Sequence, residues 1–272
     1  MAPTSTTTGV ERIAEAFARA RSDGRRAALM PYMMGGFPSL DISREIAVAY
    51  ARAGADIVEL GIPFSDPLAD GPVIHAAATD ALRAGASVER VLELAGVIAA
   101  NDVAVVVMCY SNPILARGHE RFAGALVRAG ASGLIVPDLP LEEASELRSV
   151  CDRHGLALVP LVAPTTPAER LAEIGATARG FLYAVAVTGT TGERGELDAG
   201  LVTRAAAHTS VPVALGFGIA SVDQAVAAAD AGADGVIIGS RLVRAAGESN
   251  DPVGAVSQLL SEYAAALRDS SG

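Results

Sequence analysis

Arg52-Ala53-Gly54-Ala55-Asp56-Ile57-Val58-Glu59-Leu60 joins an amphipathic segment to a short apolar run, and the joint is a glycine. The phrase returns as Arg128-Ala129-Gly130-Ala131-Ser132-Gly133-Leu134-Ile135-Val136 and again as Asp230-Ala231-Gly232-Ala233-Asp234-Gly235-Val236-Ile237-Ile238. Glycine enters the left-handed conformation that ends a helix without steric penalty, so each copy reads as helix, stop, buried strand. Helices and strands alternating in this way form a parallel sheet covered by helices.

Working outward gives eight candidate strands, near 28–34, 56–60, 103–110, 133–137, 157–162, 180–186, 211–216 and 235–239. Helical patterns lie between them at Ile42–Ala53, Val88–Ala100, Glu142–Arg153 and Val222–Ala231. Pro140 and Pro252 stand where helices start. No G-x-G-x-x-G follows the first strand, as an open doubly wound sheet would require, so the expected fold is α/β, a closed (β/α)8 TIM barrel. An extra N-terminal helix over Glu11–Arg21 is placed to plug its bottom. Residues 1–9, rich in Ser and Thr, read as a disordered tail, and residues 10–270 as one barrel domain.

The composition fits that fold. Of 272 residues 51% are hydrophobic and only 4% aromatic, so the core is aliphatic, as buried parallel strands demand. The net charge of −10, with no basic block, argues against nucleic acid or an anionic membrane as a partner. No apolar run approaches the ~18 residues of a membrane span, and no secretory signal opens the sequence. Cys109 and Cys151 read as reduced core thiols, so a cytoplasmic location is expected. His75, His119, His154 and His208 have no metal-ligand spacing, and no metal is expected. Lysine is absent from the sequence, which excludes a Schiff-base lysine on this protein.

Barrels do their chemistry where strands end. The second strand runs out through Glu59-Leu60-Gly61-Ile62-Pro63-Phe64-Ser65-Asp66-Pro67-Leu68-Ala69-Asp70-Gly71-Pro72. An inward Glu59 in an apolar strand would hold its proton to higher pH and act as a proton carrier; otherwise it pairs with a basic residue. Three prolines stiffen the loop holding Asp66 and Asp70, which are otherwise turn formers. Gly216-Phe217-Gly218-Ile219 after strand seven and Gly239-Ser240 after strand eight suit a phosphate, the alternative being mere tight turns. Thr188 to Gly195, glycine-dense and polar, reads either as a closing loop or as a surface turn.

The run Glu59 to Pro72 resembles the signature of the tryptophan synthase alpha subunit family. The likeness continues through Pro31-Tyr32, Met108-Cys109-Tyr110-Ser111-Asn112-Pro113, Val136-Pro137-Asp138-Leu139-Pro140, Tyr183, Thr191-Gly192, Gly216-Phe217-Gly218-Ile219 and Gly239-Ser240. The resemblance implies retro-aldol cleavage of indole-3-glycerol phosphate to indole and glyceraldehyde 3-phosphate, within L-tryptophan biosynthesis. It makes Glu59 the general acid/base and Asp70 the carboxylate that stabilises charge on the indole nitrogen. It implies that Tyr32, Met108, Ile135 and Tyr183 line the indole pocket, with Tyr110 near Glu59 and Thr191 closing over the substrate. Gly192, Gly218, Gly239 and Ser240 would hold the phosphate. No cofactor is expected on this protein. The partner implied is a pyridoxal phosphate-dependent beta subunit in an alpha2beta2 complex, contacted through Asp66, Pro67, Asn112 and Pro113.

One stretch departs from the family pattern. Ala186 and Val187 stand where the family has Ser then Arg, followed by Gly189-Thr190-Thr191-Gly192. The expectation is intact basal chemistry with altered activation by the partner. Three rivals stay open: a stand-alone lyase releasing free indole, a non-catalytic activator of a beta subunit, and another phosphate-binding barrel such as an isomerase.

Overall fold

The structure is a computed structural model and describes residues 7–185, 199–216 and 218–268. Among these lie nine strands: β1 (Ala28–Met34), β2 (Ile57–Gly61), β3 (Ala104–Met108), β4 (Gly133–Ile135), β5 (Ala157–Val159), β6 (Leu161–Val162), β7 (Leu182–Val185), β8 (Val213–Gly216) and β9 (Gly235–Ile238). All pair in parallel, in the order β5-β4-β3-β2-β1-β9-β8-β7-β6. The two ends of that order are halves of one strand expected over 157–162, interrupted at Pro160. β5 pairs with β4 and β6 with β7, so the interruption is where the barrel closes. Proline has no N–H to give a ladder, yet its carbonyl still accepts from Tyr183 N at 3.0 Å.

The repeated glycines do what their position asks. Gly54, Gly130 and Gly232 have φ of +92°, +78° and +93°. The Asp of the repeat has a further task. Asp56 accepts from Leu29 N at 2.7 Å, and Asp234 from Val213 N at 2.9 Å, each satisfying an amide near the start of the adjacent strand. The buried Arg25 lies 3.6 Å from Asp56.

Two apolar cores result. One lies between the sheet and its helices. The other fills the barrel with Met30, Ile57, Val106, Met108, Ile135, Val159, Tyr183 and Ile237. Ile13, Phe17 and Ala20 of the N-terminal helix join this inner core, with the Phe17 and Phe181 rings 6.0 Å apart. That helix therefore closes one end of the barrel. It spans Gly9–Ser22, beginning inside the stretch expected to be a tail. The reason is a capping box: Thr8 Oγ1 accepts from Glu11 N, and Glu11 Oε2 accepts from Thr8 N. The helix expected from Glu142 starts at Ser145 instead. Residues before it make the tighter bonds Glu143 N to Pro140 O and Ala144 N to Leu141 O. Among the described residues no helix is long and apolar enough to cross a membrane.

Candidate active site

β1 and β2 place Tyr32 and Glu59 side by side in register, and β3 sets Met108 opposite Gly61. These side chains, with Asp70, Ile74, Tyr183, Gly218, Ile219, Ala220, Ile237, Gly239, Ser240 and Arg241, line one cavity at the C-terminal ends of the strands. Both expected catalytic carboxyls thus share one place with three of the expected indole-pocket residues and three of the expected phosphate-binding residues.

Glu59 is 2% exposed, and neither carboxylate oxygen has a hydrogen-bond partner among the described residues. Burial in this apolar wall, and secondarily the neighbouring Asp70, push its pKa up to about 8. Among the described residues no basic side chain pairs with it. Glu59 is an acid able to give and take a proton near neutral pH.

Asp70 is half-buried, and burial raises its pKa. A hydrogen bond from Tyr110 and the nearby His75 work in the opposite direction. Tyr110 Oη donates to Asp70 Oδ1 at 3.0 Å while accepting from Ala69 N at 3.1 Å. Its ring stacks on Phe64 at 5.3 Å. One side chain from the end of β3 therefore holds both ends of the β2 loop. Tyr110 serves Asp70 directly.

The tyrosines fit because two glycines face them. A Cβ at Gly61 would lie 2.2 Å from Tyr32 Oη, and one at Gly216 would lie 2.4 Å from Tyr183 Oη. Burial and the nearby carboxylates hold Tyr32 and Tyr183 protonated far above ordinary pH. Ile135 is fully buried in the inner core as the register partner of Met108 and is not on the cavity wall. Thr191, Gly192, Ala186, Val187 and the 188–195 loop lie outside the described residues.

At the other side of the cavity Gly218 has φ +82°, and Gly239 precedes the helix Ser240–Glu248. That short helix is additional to the outer ring, whose last member is Pro252–Ala266. Barrels use the amino end of such a helix to bind phosphate. Ile219 and Ala220 belong to the turn after strand seven that the sequence already singled out, whereas sequence reasoning missed Ile74, Ile237 and Arg241. Arg241 directly follows the Gly239-Ser240 pair, which was the available signal. Asp66, Pro67, Asn112 and Pro113 lie at the same end of the barrel, after β2 and β3. Asp66 and Asn112 are exposed, and Pro67 and Pro113 partly so. Ser111 is pinned there by Asp138, which accepts from its amide at 2.9 Å and its hydroxyl at 2.6 Å.

Comparison with known proteins agrees with this geometry. The family model described as tryptophan synthase alpha chain matches residues 17–270. A tryptophan synthase alpha chain from Synechococcus sp. (strain CC9902) is 50% identical over 236 residues, 85% of this protein and 87% of that one. Tryptophan synthase from Mycobacterium tuberculosis superposes with a TM-score of 0.89 at 39% identity, covering 95% of this protein and 98% of that one. The tryptophan synthase complex from Pyrococcus furiosus gives 0.82 at 31% identity, covering 89% and 98%. The protein belongs to the tryptophan synthase alpha chain family.

Proposed function

We propose that this cavity cleaves indole-3-glycerol phosphate to indole and glyceraldehyde 3-phosphate, as the alpha subunit of tryptophan synthase in L-tryptophan biosynthesis. The observation that carries the reading is a buried Glu59, without a hydrogen-bond partner among the described residues, sharing one cavity with a hydrogen-bonded Asp70. An uncompensated buried carboxylate costs stability, so its retention points to chemistry and argues against a non-catalytic activator.

The two carboxyls differ in the way the reaction needs. Protonated Glu59 gives its proton to the indole ring carbon, and positive charge develops on the ring nitrogen. Asp70, held by Tyr110, stabilises that charge. The bond joining the ring carbon to the glycerol phosphate carbon then breaks. Its electron pair restores the aromatic ring, the glycerol hydroxyl becomes a carbonyl, and its proton returns to Glu59. Tyr32, Met108 and Tyr183 frame the flat indole. Gly218, Gly239 and Ser240 receive the phosphate; family resemblance adds Gly192 to them and has Thr191 close over the substrate. No cofactor is assigned to this protein.

The partner is a pyridoxal phosphate-dependent beta subunit in an alpha2beta2 complex. Leu68 is 82% exposed in the β2 loop and Leu115 61% exposed in the helix Ser111–Arg117 after β3. Two bare leucines beside Asp66, Pro67, Asn112 and Pro113 suit an apolar protein surface. The complex is assigned to the cytoplasm. Indole release from indole-3-glycerol phosphate, measured with and without a beta subunit, tests the reading. High release alone, unaffected by partner, would favour a stand-alone lyase.

A further inference from the structure

We infer that Arg241 is a phosphate-binding residue of this site, adding a cationic side chain to an otherwise backbone-built cradle. The inference rests on the function proposed above and deepens it. Arg241 follows Ser240 on the first turn of the helix Ser240–Glu248 and lines the cavity with Glu59, Asp70, Gly218 and Gly239. Among the described lining residues it is the sole cation. Its side chain is exposed at the mouth and has no hydrogen-bond or ion-pair partner among the described residues. Elsewhere Arg19, Arg117, Arg153 and Arg170 all pair with carboxylates.

The electrostatics favour such a group. A phosphate entering this cavity meets two carboxyl groups inside a protein of net charge −10. Glu59, buried and without a hydrogen-bond partner among the described residues, marks the same cavity independently as ligand space. Leu242 N and Val243 N already donate to Gly239 O, at 3.0 and 3.1 Å, which leaves the Ser240 and Arg241 amides facing outward. A cation on the first turn of a helix opposes the helix dipole, and that first turn contains no acidic residue. An anion placed between the amides and the guanidinium relieves both conflicts. The planar guanidinium also matches phosphate in a two-pronged contact.

The test compares wild type, Arg241→Ala and Arg241→Lys on indole-3-glycerol phosphate and on indole-3-glycerol, with inorganic phosphate as inhibitor. Arg241→Ala is expected to raise KM for the phosphorylated substrate roughly 5- to 10-fold and weaken phosphate inhibition equally, with the loss in KM rather than kcat. Arg241→Lys should recover part of the loss. An unchanged KM and inhibition constant, or an equal loss on indole-3-glycerol, would overturn the inference. If wild type fails to cleave the substrate, the proposed function falls. Calorimetric titration of inorganic phosphate into wild type and Arg241→Ala then decides the role of Arg241: weaker binding by the variant supports it, and equal binding overturns it.

Discussion

The Tyr110 hydroxyl stands 3.0 Å from Asp70 Oδ1, and the same oxygen takes the amide of Ala69 at 3.1 Å. A residue at the end of β3 thus fixes a carboxylate at the far end of the β2 loop, and the hydrogen bond favours the charged form of Asp70. Tyr110→Phe should lower kcat roughly 10-fold with little change in KM, since a hydrogen bond to a charged group is lost. Removing the donor takes away the larger of the two influences that oppose burial, so the Asp70 pKa rises. The acidic limb of the kcat profile should move to higher pH, which a steady-state pH series checks. An unshifted limb would contradict the role given to Tyr110.

Glu59 makes stability depend on pH with a definite sign. Its folded pKa of about 8 lies above the ordinary 4.5. Below 4.5 the folded and unfolded states both hold the proton, and the residue contributes nothing. Between 4.5 and about 8 the unfolded state releases the proton while the folded state keeps it, so stability falls as pH rises; above 8 the loss is complete. Glu59→Gln should therefore gain on wild type across this window, by on the order of a few kcal/mol. Urea denaturation at about pH 5 and about pH 8 measures the gain, and equal differences at the two pH values would refute the assigned pKa.

Gly61 is a space requirement of Tyr32. A methyl group there meets the hydroxyl at 2.2 Å and the ring carbon Cζ at 2.8 Å, so the ring must move. Gly61→Ala is expected to cost about 1–3 kcal/mol, as overpacking does, and to impair substrate binding because Tyr32 lines the cavity. Thermal denaturation and KM determine both.

The N-terminal helix stabilises without taking part in chemistry. Phe17 is 2% exposed, packs into the inner core and contacts Phe181. Phe17→Ala should cost about 3–5 kcal/mol. Thr8→Ala, which removes the capping box, should cost about 0.5–2 kcal/mol. Neither residue lines the cavity, so kcat of the folded fraction should stay near wild type.

The parts of the fold visible in the sequence were those set by local chemistry. Gly54, Gly130 and Gly232 marked helix ends because only the residue itself decides whether positive φ is tolerated. β1 matched its expected span of 28–34. The expected strand at 103–110 shortened to Ala104–Met108 because apolarity persists past the last ladder bond. Thr8 hid the helix start inside a Ser/Thr run that composition alone reads as a tail. In the site, Glu59 was visible as a charge in an apolar strand. The Tyr110–Asp70 bond, the fit of Tyr32 over Gly61 and the depth of Ile135 depend on how neighbouring strands stagger. No single stretch of sequence carries that information.

The most direct measurement is indole released from indole-3-glycerol phosphate by wild type and Glu59→Gln at neutral pH, with and without a beta subunit. The account predicts release by wild type and a fall of roughly 10²–10⁴-fold in Glu59→Gln, with the fold intact. Release by Glu59→Gln at the wild-type rate, or none from wild type under either condition, would contradict it.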